Sequence, residues 1–385
     1  MITNATEEHT HSVLPFDRTN VREMRERVKL AEVCEILDSK RVPITKNKRI
    51  AGPYPYYGAN GVQDYVENYI FDDDLVLLAE DGGHFEKGEQ IAYRVSGKCW
   101  VNNHAHVLKP KSNIDVDYLY LSLRTYDTSK LTNGATRKKL TQAAMREMVV
   151  PMRSMSEQLE IVKLFMTIES QITLAETQIE KLDLLVKSRF VEMFGDVVAN
   201  SKGWQTYSLG EVSPQKGLKI PSSGNVWQLN LDAVESDTGK VIEKVLVDAA
   251  DIKTSNVGFN TEHVLYSKLR PYLNKVVLPD ESGVCTTEMV PLLPDKEILN
   301  RVYLCYVLRS DTFVSYISKH TGGAKMPRVD MKTFKAFQAP IPPLPLQHDF
   351  ANFAHKVEHL RETAQSQIST LRTLYNSLAQ DYFAI

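Results

Sequence analysis

Residues Gly134–Phe194 read GATRKKLTQAAMREMVVPMRSMSEQLEIVKLFMTIESQITLAETQIEKLDLLVKSRFVEMF, and residues Gly323–Phe383 read GAKMPRVDMKTFKAFQAPIPPLPLQHDFANFAHKVEHLRETAQSQISTLRTLYNSLAQDYF. The two align without a gap at a constant offset of 189 (323 minus 134). They share Gly134/Gly323, Pro151/Pro340, Gln158/Gln347, Glu169/Glu358, Ala175/Ala364, Gln178/Gln367, Ile179/Ile368, Leu182/Leu371, Leu185/Leu374, Ser188/Ser377 and Phe194/Phe383. The period is far longer than the roughly 20 to 50 residues of a solenoid repeat. It reads as one domain stated twice, each copy followed by a helix.

The helical part follows from punctuation and periodicity. No Gly or Pro falls between Pro151 and Gly195, Ser154 and Glu157 have capping-box spacing, and Gly195 is a natural terminator. Apolar residues recur at Ile161, Phe165, Ile168, Ile172, Ala175, Ile179, Leu182 and Val186, in alternating steps of four and three. That is a coiled-coil seam. In the second copy the seam is Phe350, Ala354, Val357, Arg361, Ala364, Ile368, Leu371 and Tyr375, with Arg361 its one polar member. The second start, IPPLPLQ, lacks the acid that the first has at Glu157. A helix from Ser156 to Phe194 is about 58 Å long at 1.5 Å per residue. The simplest burial for both stripes is against each other, antiparallel, with a domain at each end and an approximate two-fold between them. The competing arrangement packs each stripe on its own domain.

Outside the helices the copies diverge. KLAEV at Lys29–Val33 parallels SLGEV at Ser208–Val212, but there the offset is 179 (209 minus 30). In copy one, IAYRV, Ser96-Gly97 and KCWV read as a strand, a tight turn and a strand, with LVLLAE and AHVLK as further strands. In copy two VWQLNL, HVLYSKL, NKVVLP and VCTTEMVPLL take these parts, and DYLYLSLR and RVYLCYVLR are helical. The expected class is α+β: two tandem mixed domains, each followed by a long helix, the helices forming an antiparallel coiled coil with pseudo-two-fold symmetry. The expected spans are a flexible arm at 1–20, domain one at 21–153, helix one at 154–195, domain two at 196–343 and helix two at 344–385.

Composition narrows the function. Apolar and charged fractions of 43% and 24% suit a globular chain, and no apolar run approaches the length of a membrane span, so no membrane partner and a cytoplasmic location are expected. Cys34, Cys99, Cys285 and Cys305 are scattered singly, and Cys99 has only His104 and His106 nearby, one ligand short of a structural zinc site. Neither metal nor disulfide is expected. There is no G-x-x-x-x-G-K-[ST], G-x-S-x-G or H-E-x-x-H, so no catalytic residue is assigned. Asp72, Asp73 and Asp74 read as a solvated turn, and Glu80-Asp81 with His84 as a loop.

The basic residues are clustered: Lys46, Lys48 and Arg49; Arg137, Lys138 and Lys139; Lys268, Arg270 and Lys275; Lys325 and Arg328. Near the first sets lie Tyr54, Tyr56, Tyr57, Asn60, Asn102, Asn103 and His104. Cations hold phosphates, whereas Asn and Arg make bidentate contacts to base edges. Double-stranded DNA is therefore one candidate partner, set against a net charge of −2 that a free-standing DNA binder rarely has. Arg137, Lys138, Lys139, Lys325 and Arg328 are assigned to the phosphate backbone. Tyr57, Asn102, Asn103, Lys268 and Arg270 are assigned near the bases. The rivals are a non-DNA coiled-coil scaffold with two ligand-binding domains, and a metal nuclease built on Asp72–Asp74 or Glu80/Asp81.

From Val28 to Phe383 the chain resembles the specificity subunits of type I restriction-modification systems. PYPYYGANGVQDY, KCWVNNHAHVL and GATRKKLT look like one type of target recognition domain, and VLYSKLRPYLNKVVLP, VCTTEMVPLLP and GGAKMPRV like another. The junctions Pro151 to Gln158 and Pro340 to Gln347 look like that family's joint between domain and spacer helix. The resemblance implies a chain with no chemistry and no cofactor of its own. Its domains would read the halves of a bipartite asymmetric site, and two methyltransferase subunits would bring S-adenosylmethionine. Motor-nuclease subunits would bring ATP and Mg.

Overall fold

The computed structural model describes residues 26–86, 88–134, 137–323 and 325–383, so the arm expected at 1–20 lies outside the described residues. The chain divides into two compact units, Met1–Leu174 with Gln367–Ile385, and Ala175–Ser366. Each long helix, Met155–Phe194 and Leu344–Phe383, contributes one part to each unit.

The first unit is built on two four-stranded sheets. One runs Cys34–Ile36, Ala105–Pro110, Leu75–Ala79, Ala92–Val95, all antiparallel. The other runs Gly61–Val66, Ala51–Gly58, Lys98–Val101, Phe71–Asp72, with Ala51–Gly58 and Lys98–Val101 parallel. The unbroken apolar run Leu75–Ala79 is explained by burial on both faces. Leu75 and Leu77 join Phe71, Cys99 and Val101, while Val76 and Leu78 join a core that includes Tyr118, Leu119, Ile161 and Phe165.

The expected hairpin at Ser96-Gly97 is not one. Ala92–Val95 pairs with Leu75–Ala79, whereas Lys98–Val101 pairs with strands of the other sheet. Gly97, with φ +75°, carries the chain from sheet to sheet. Alternating burial specifies a strand and its faces but not its partner, and the same ambiguity divides VCTTEMVPLL. That stretch holds two strands, Gly283–Cys285 and Met289–Leu292, in separate sheets of the second unit.

The repeated residues of the joint make the same bonds in both units. Asp115 caps the helix Val116–Arg124 by accepting from the backbone N–H of Asp117 and Tyr118, and Asn300 does so for Arg301–Arg309. Gln158, fully buried, accepts from Asp115 N (2.7 Å) and donates to the carbonyls of Asn113 (3.1 Å) and Arg153 (3.0 Å). Gln347, equally buried, accepts from Asn300 N (2.8 Å) and donates to those of Ile298 (2.9 Å) and Pro342 (2.8 Å). Tyr118 donates to the Pro151 carbonyl (2.9 Å), as Tyr303 does to that of Pro340 (2.7 Å). Each long helix is thus fastened at its first turn to the capped end of a short one.

The first start has its capping box: Ser154 N–H and hydroxyl both donate to Glu157, and Gly195 closes the helix at φ +77°. The second start substitutes Pro343 and Pro345, whose missing N–H groups need no partner in a first turn. Within each unit the helices pair antiparallel. In the first, Phe165 packs edge-on against Tyr375 (4.8 Å between centroids) and touches Phe383 (5.6 Å), so an early turn of one helix meets late turns of the other. In the second, Phe190 and Phe194 flank Phe350 at 5.3 and 5.6 Å. Ile161, Phe165, Ile168, Ala175, Val186, Phe350, Ala354, Val357, Ala364 and Ile368 are buried; Ile172, Ile179, Leu182, Leu371 and Tyr375 are half-buried. Arg361 fits the seam by pairing with Asp183 on the other helix (3.2 Å).

Candidate nucleic-acid interface

In the first unit the hairpin of Ala51–Gly58 and Gly61–Val66 turns through Ala59-Asn60, with Gly61 at φ +89°. A Cβ on Gly58 would lie 2.1 Å from the Gln63 amide nitrogen, so glycine there makes room for that amide. Gln63 Oε1 accepts from Asn102 Nδ2 (3.3 Å), and Asn102 Oδ1 accepts from His104 N (2.8 Å). Asn102 N donates to the carbonyl of Tyr57 (3.0 Å). Together these elements wall a cleft of about 410 Å³ lined by Asn60, Gln63, Asn102, Asn103, His104 and Arg137 among others.

The sequence-assigned residues do not all face solvent. Asn102 is 3% exposed and spends its amide within the protein, and Tyr57 is half-buried against the apolar cluster of Leu75 and Leu77. Burial lifts the Tyr57 phenol above its ordinary range. Asn103 is exposed at the cleft. Gln63, which the sequence does not single out, also lines the cleft; it lies in PYPYYGANGVQDY, but only the turn at Ala59-Asn60 brings it back over Gly58.

Arg137, Lys138 and Lys139 stand on a small arm, Thr132–Asn133 paired with Lys139–Leu140. The shared Gly134 turns it at φ +102°, where a Cβ would meet the Arg137 carbonyl at 2.3 Å. Each cation faces a carboxylate: Arg137 to Asp81 (3.0 Å), Lys138 to Glu86 (2.8 Å), Lys139 to Glu80 (3.0 Å). The same Asp81 oxygen bonds His104 Nδ1.

Beneath the arm lies a buried charge network. His106 Nδ1 bonds Asp38 (2.6 Å) and its Nε2 bonds the Leu140 carbonyl (2.9 Å). Arg41 pairs with Glu80 (2.6 Å) and reaches Asp38 (3.5 Å), and Gln142 donates to Asp38 (2.8 Å). Burial works to raise both carboxyls, but the hydrogen bond and charge of His106 and the hydrogen bonds from Gln142 and the Val107 N–H hold Asp38 below the ordinary range. Arg41 and Lys139 do the same for Glu80. Asp38, Glu80 and His106 bring ligand-type atoms within 4.8 Å, yet Arg41 already supplies the positive charge and both imidazole nitrogens are engaged. The donor set therefore suits a protein ion-pair network better than a metal. Cys99 is buried in an apolar cluster, its thiol pushed up to about 12 by desolvation.

The second unit repeats the arm: Thr321–Gly322 pairs with Arg328–Val329, and Gly323 turns at φ +93°. Leu140 N bonds the Glu80 carbonyl in the first unit, and Val329 N bonds the Lys268 carbonyl in the second (2.7 and 2.8 Å). An acid and a base thus occupy matching places. Arg328 donates to Glu288 through Nε (3.1 Å) and Nη2 (3.0 Å). Lys325 and Arg270 are exposed, and Lys268 is half-buried. Among the described residues no helix is long and apolar enough to cross a membrane.

A family model described as the type I restriction modification DNA specificity domain matches residues 23–184 and again 201–371. A protein of Haemophilus influenzae named for a type I restriction enzyme specificity subunit is 33% identical over 194 residues, covering 49% of this chain and 50% of its own length. The type I restriction enzyme EcoDI specificity subunit of Escherichia coli is 22% identical over 373 residues, covering 86% of this chain and 81% of that one. The crystal structure of a type I restriction-modification S subunit from M. genitalium superposes with a TM-score of 0.57 at 13% identity, over 93% of this chain and 96% of that one. A chain from a study of complex assembly and conformational transition of the type I R-M system gives 0.56 at 16% identity, over 93% and 97%.

Proposed function

Because the chain belongs to the type I restriction-modification DNA specificity family, with both copies matched, we propose that it reads a bipartite asymmetric DNA site, one half in each unit. The observation that carries this reading is that matching joints and arms hold different surfaces. Gln158 and Gln347, Tyr118 and Tyr303, Gly134 and Gly323 repeat their roles. The surfaces they support differ: an amide-lined cleft with Arg137 in one unit, an exposed Arg270 beside a paired Arg328 in the other. Different surfaces select different half-sequences, which makes the site asymmetric.

In this reading Asn103, Gln63 and His104 meet base edges in one half, and Arg270 and Lys268 in the other. Arg137, Lys138, Lys139, Lys325 and Arg328 meet phosphates, which take over from the carboxylates that hold most of them in the free chain. The chain is non-catalytic. Two methyltransferase subunits dock on it and carry S-adenosylmethionine-dependent adenine methylation, and motor-nuclease subunits add restriction with ATP and Mg. Those partners also explain how a chain of net charge −2 works on DNA.

The test is methylation of a randomised duplex library by the complex co-purified with this chain. Enrichment of one two-part motif, with one half altered by substitutions at Asn103 or Gln63 and the other unaffected, supports the reading. Absence of any sequence preference refutes it.

A further inference from the structure

Four described residues other than glycine have a left-handed backbone: Asn200, Asp237, Arg270 and Asn274. Three are Asn or Asp, whose short polar side chains tolerate that region. Arg270 does not belong to that class. It adopts φ +50°, ψ +64°, although a Cβ opposes this conformation and the following Pro271 pushes its predecessor toward extended backbone.

The turn is held from both sides. Arg270 N donates to the Pro327 carbonyl (2.8 Å), Leu273 N donates to the Arg270 carbonyl (2.9 Å), and Leu269 bridges to Arg328 on the arm. In the first unit the matching bridge joins Asp81 to Lys139, and the next residue is Gly82, also left-handed at φ +67°. There glycine meets the backbone demand freely, and the place a Cβ would take is 3.0 Å from the Arg137 guanidinium. The same turn in the second unit carries a long cationic side chain against its backbone preference.

That side chain is exposed, and its guanidinium has no hydrogen bond or ion pair among the described residues. Its neighbour on the arm, Arg328, is bound through two nitrogens to Glu288. A residue kept where it strains the chain, with its functional end free, marks a site whose use lies outside the folded unit. Resting on the DNA-specificity reading above, we infer that Arg270 is a specificity-determining residue of the second half-site. Its fork of donors reads a guanine through O6 and N7 in the major groove.

The experiment compares Arg270→Gly and Arg270→Lys with the wild type in the assembled methyltransferase complex, on duplexes varied one base pair at a time. Arg270→Gly removes the strain, so the melting temperature of the full chain rises by about 2 to 4 °C. Discrimination at one G·C pair of one half-site falls about 10- to 100-fold, and the other half-site is untouched. Arg270→Lys keeps the charge and the salt dependence but loses the same discrimination. Unchanged base preference in both variants overturns the assignment. So does a loss that is uniform over all sequences with a shallower salt slope, which would make Arg270 a phosphate contact. A wild-type complex that shows no base preference at any position overturns the specificity reading itself, and this assignment with it.

Discussion

Arg137 donates to Asp81 at 3.0 Å, on the same carboxylate oxygen that bonds His104 Nδ1. One acid therefore holds two side chains of the cleft, and under the proposed function DNA competes with it for the guanidinium. Asp81→Asn frees Arg137, so affinity for unrelated DNA rises and the plot of log K against log salt steepens by about one unit. The ratio of specific to non-specific binding falls. Titrations at several salt concentrations check this, and an unaltered slope contradicts it.

Buried Asp38 and half-buried Glu80 make stability acid-sensitive. Both carboxyls sit below their ordinary range in the folded chain. Their stabilisation is complete above the unfolded values near pH 4 and is lost as pH falls through the lower folded values. Urea midpoints should therefore fall steeply below about pH 4. Asp38→Ala removes the partner of His106, Gln142 and the Val107 N–H, and should cost about 3 to 5 kcal/mol at neutral pH while flattening the acid limb.

Gln158→Ala and Gln347→Ala strip three hydrogen bonds from each joint. About 1 to 3 kcal/mol is expected for each buried group left without a partner. Limited proteolysis should open the first unit in one variant and the second in the other. Equal cleavage of both units in either variant would show that the joints are not independent.

Arg361 occupies the position that is Ile172 in the first helix, and its side chain is 16% exposed beside Asp183. The guanidinium is largely dehydrated but Asp183 is 47% exposed, so solvent screens the pair and it offsets little of the Arg361 desolvation; Arg361→Ile should be neutral or stabilising. Asp183→Ala leaves the guanidinium beside Glu358 alone and should destabilise. A large loss in Arg361→Ile would show that the pair fixes helix register.

The sequence made the helices, the seam and the joints legible because their signals are local: 3.5-residue periodicity, a capping box, a glycine stop. Gln158 and Gln347 stood out as repeated residues, yet nothing in their spacing announced that they reach back to Asp115 and Asn300. Strand partners were not legible, as Lys98–Val101 demonstrates, because alternation is indifferent to the neighbouring strand. The cleft was legible in part. Charge and amide chemistry singled out Arg137, Asn102 and Asn103, all of which line it, but not that Asn102 is buried with its amide oxygen accepting from His104 N. Gln63 needed the three-dimensional return of its hairpin, and the strain at Arg270 is visible only in its backbone.

If this chain chooses where a methyltransferase acts, a genome-wide map of methylated adenine in cells with the chain, without it, and with the Arg270→Gly form will show it. The expected result is one bipartite motif that disappears with the chain and broadens in a single half with the variant. A methylation pattern identical in all three would contradict it.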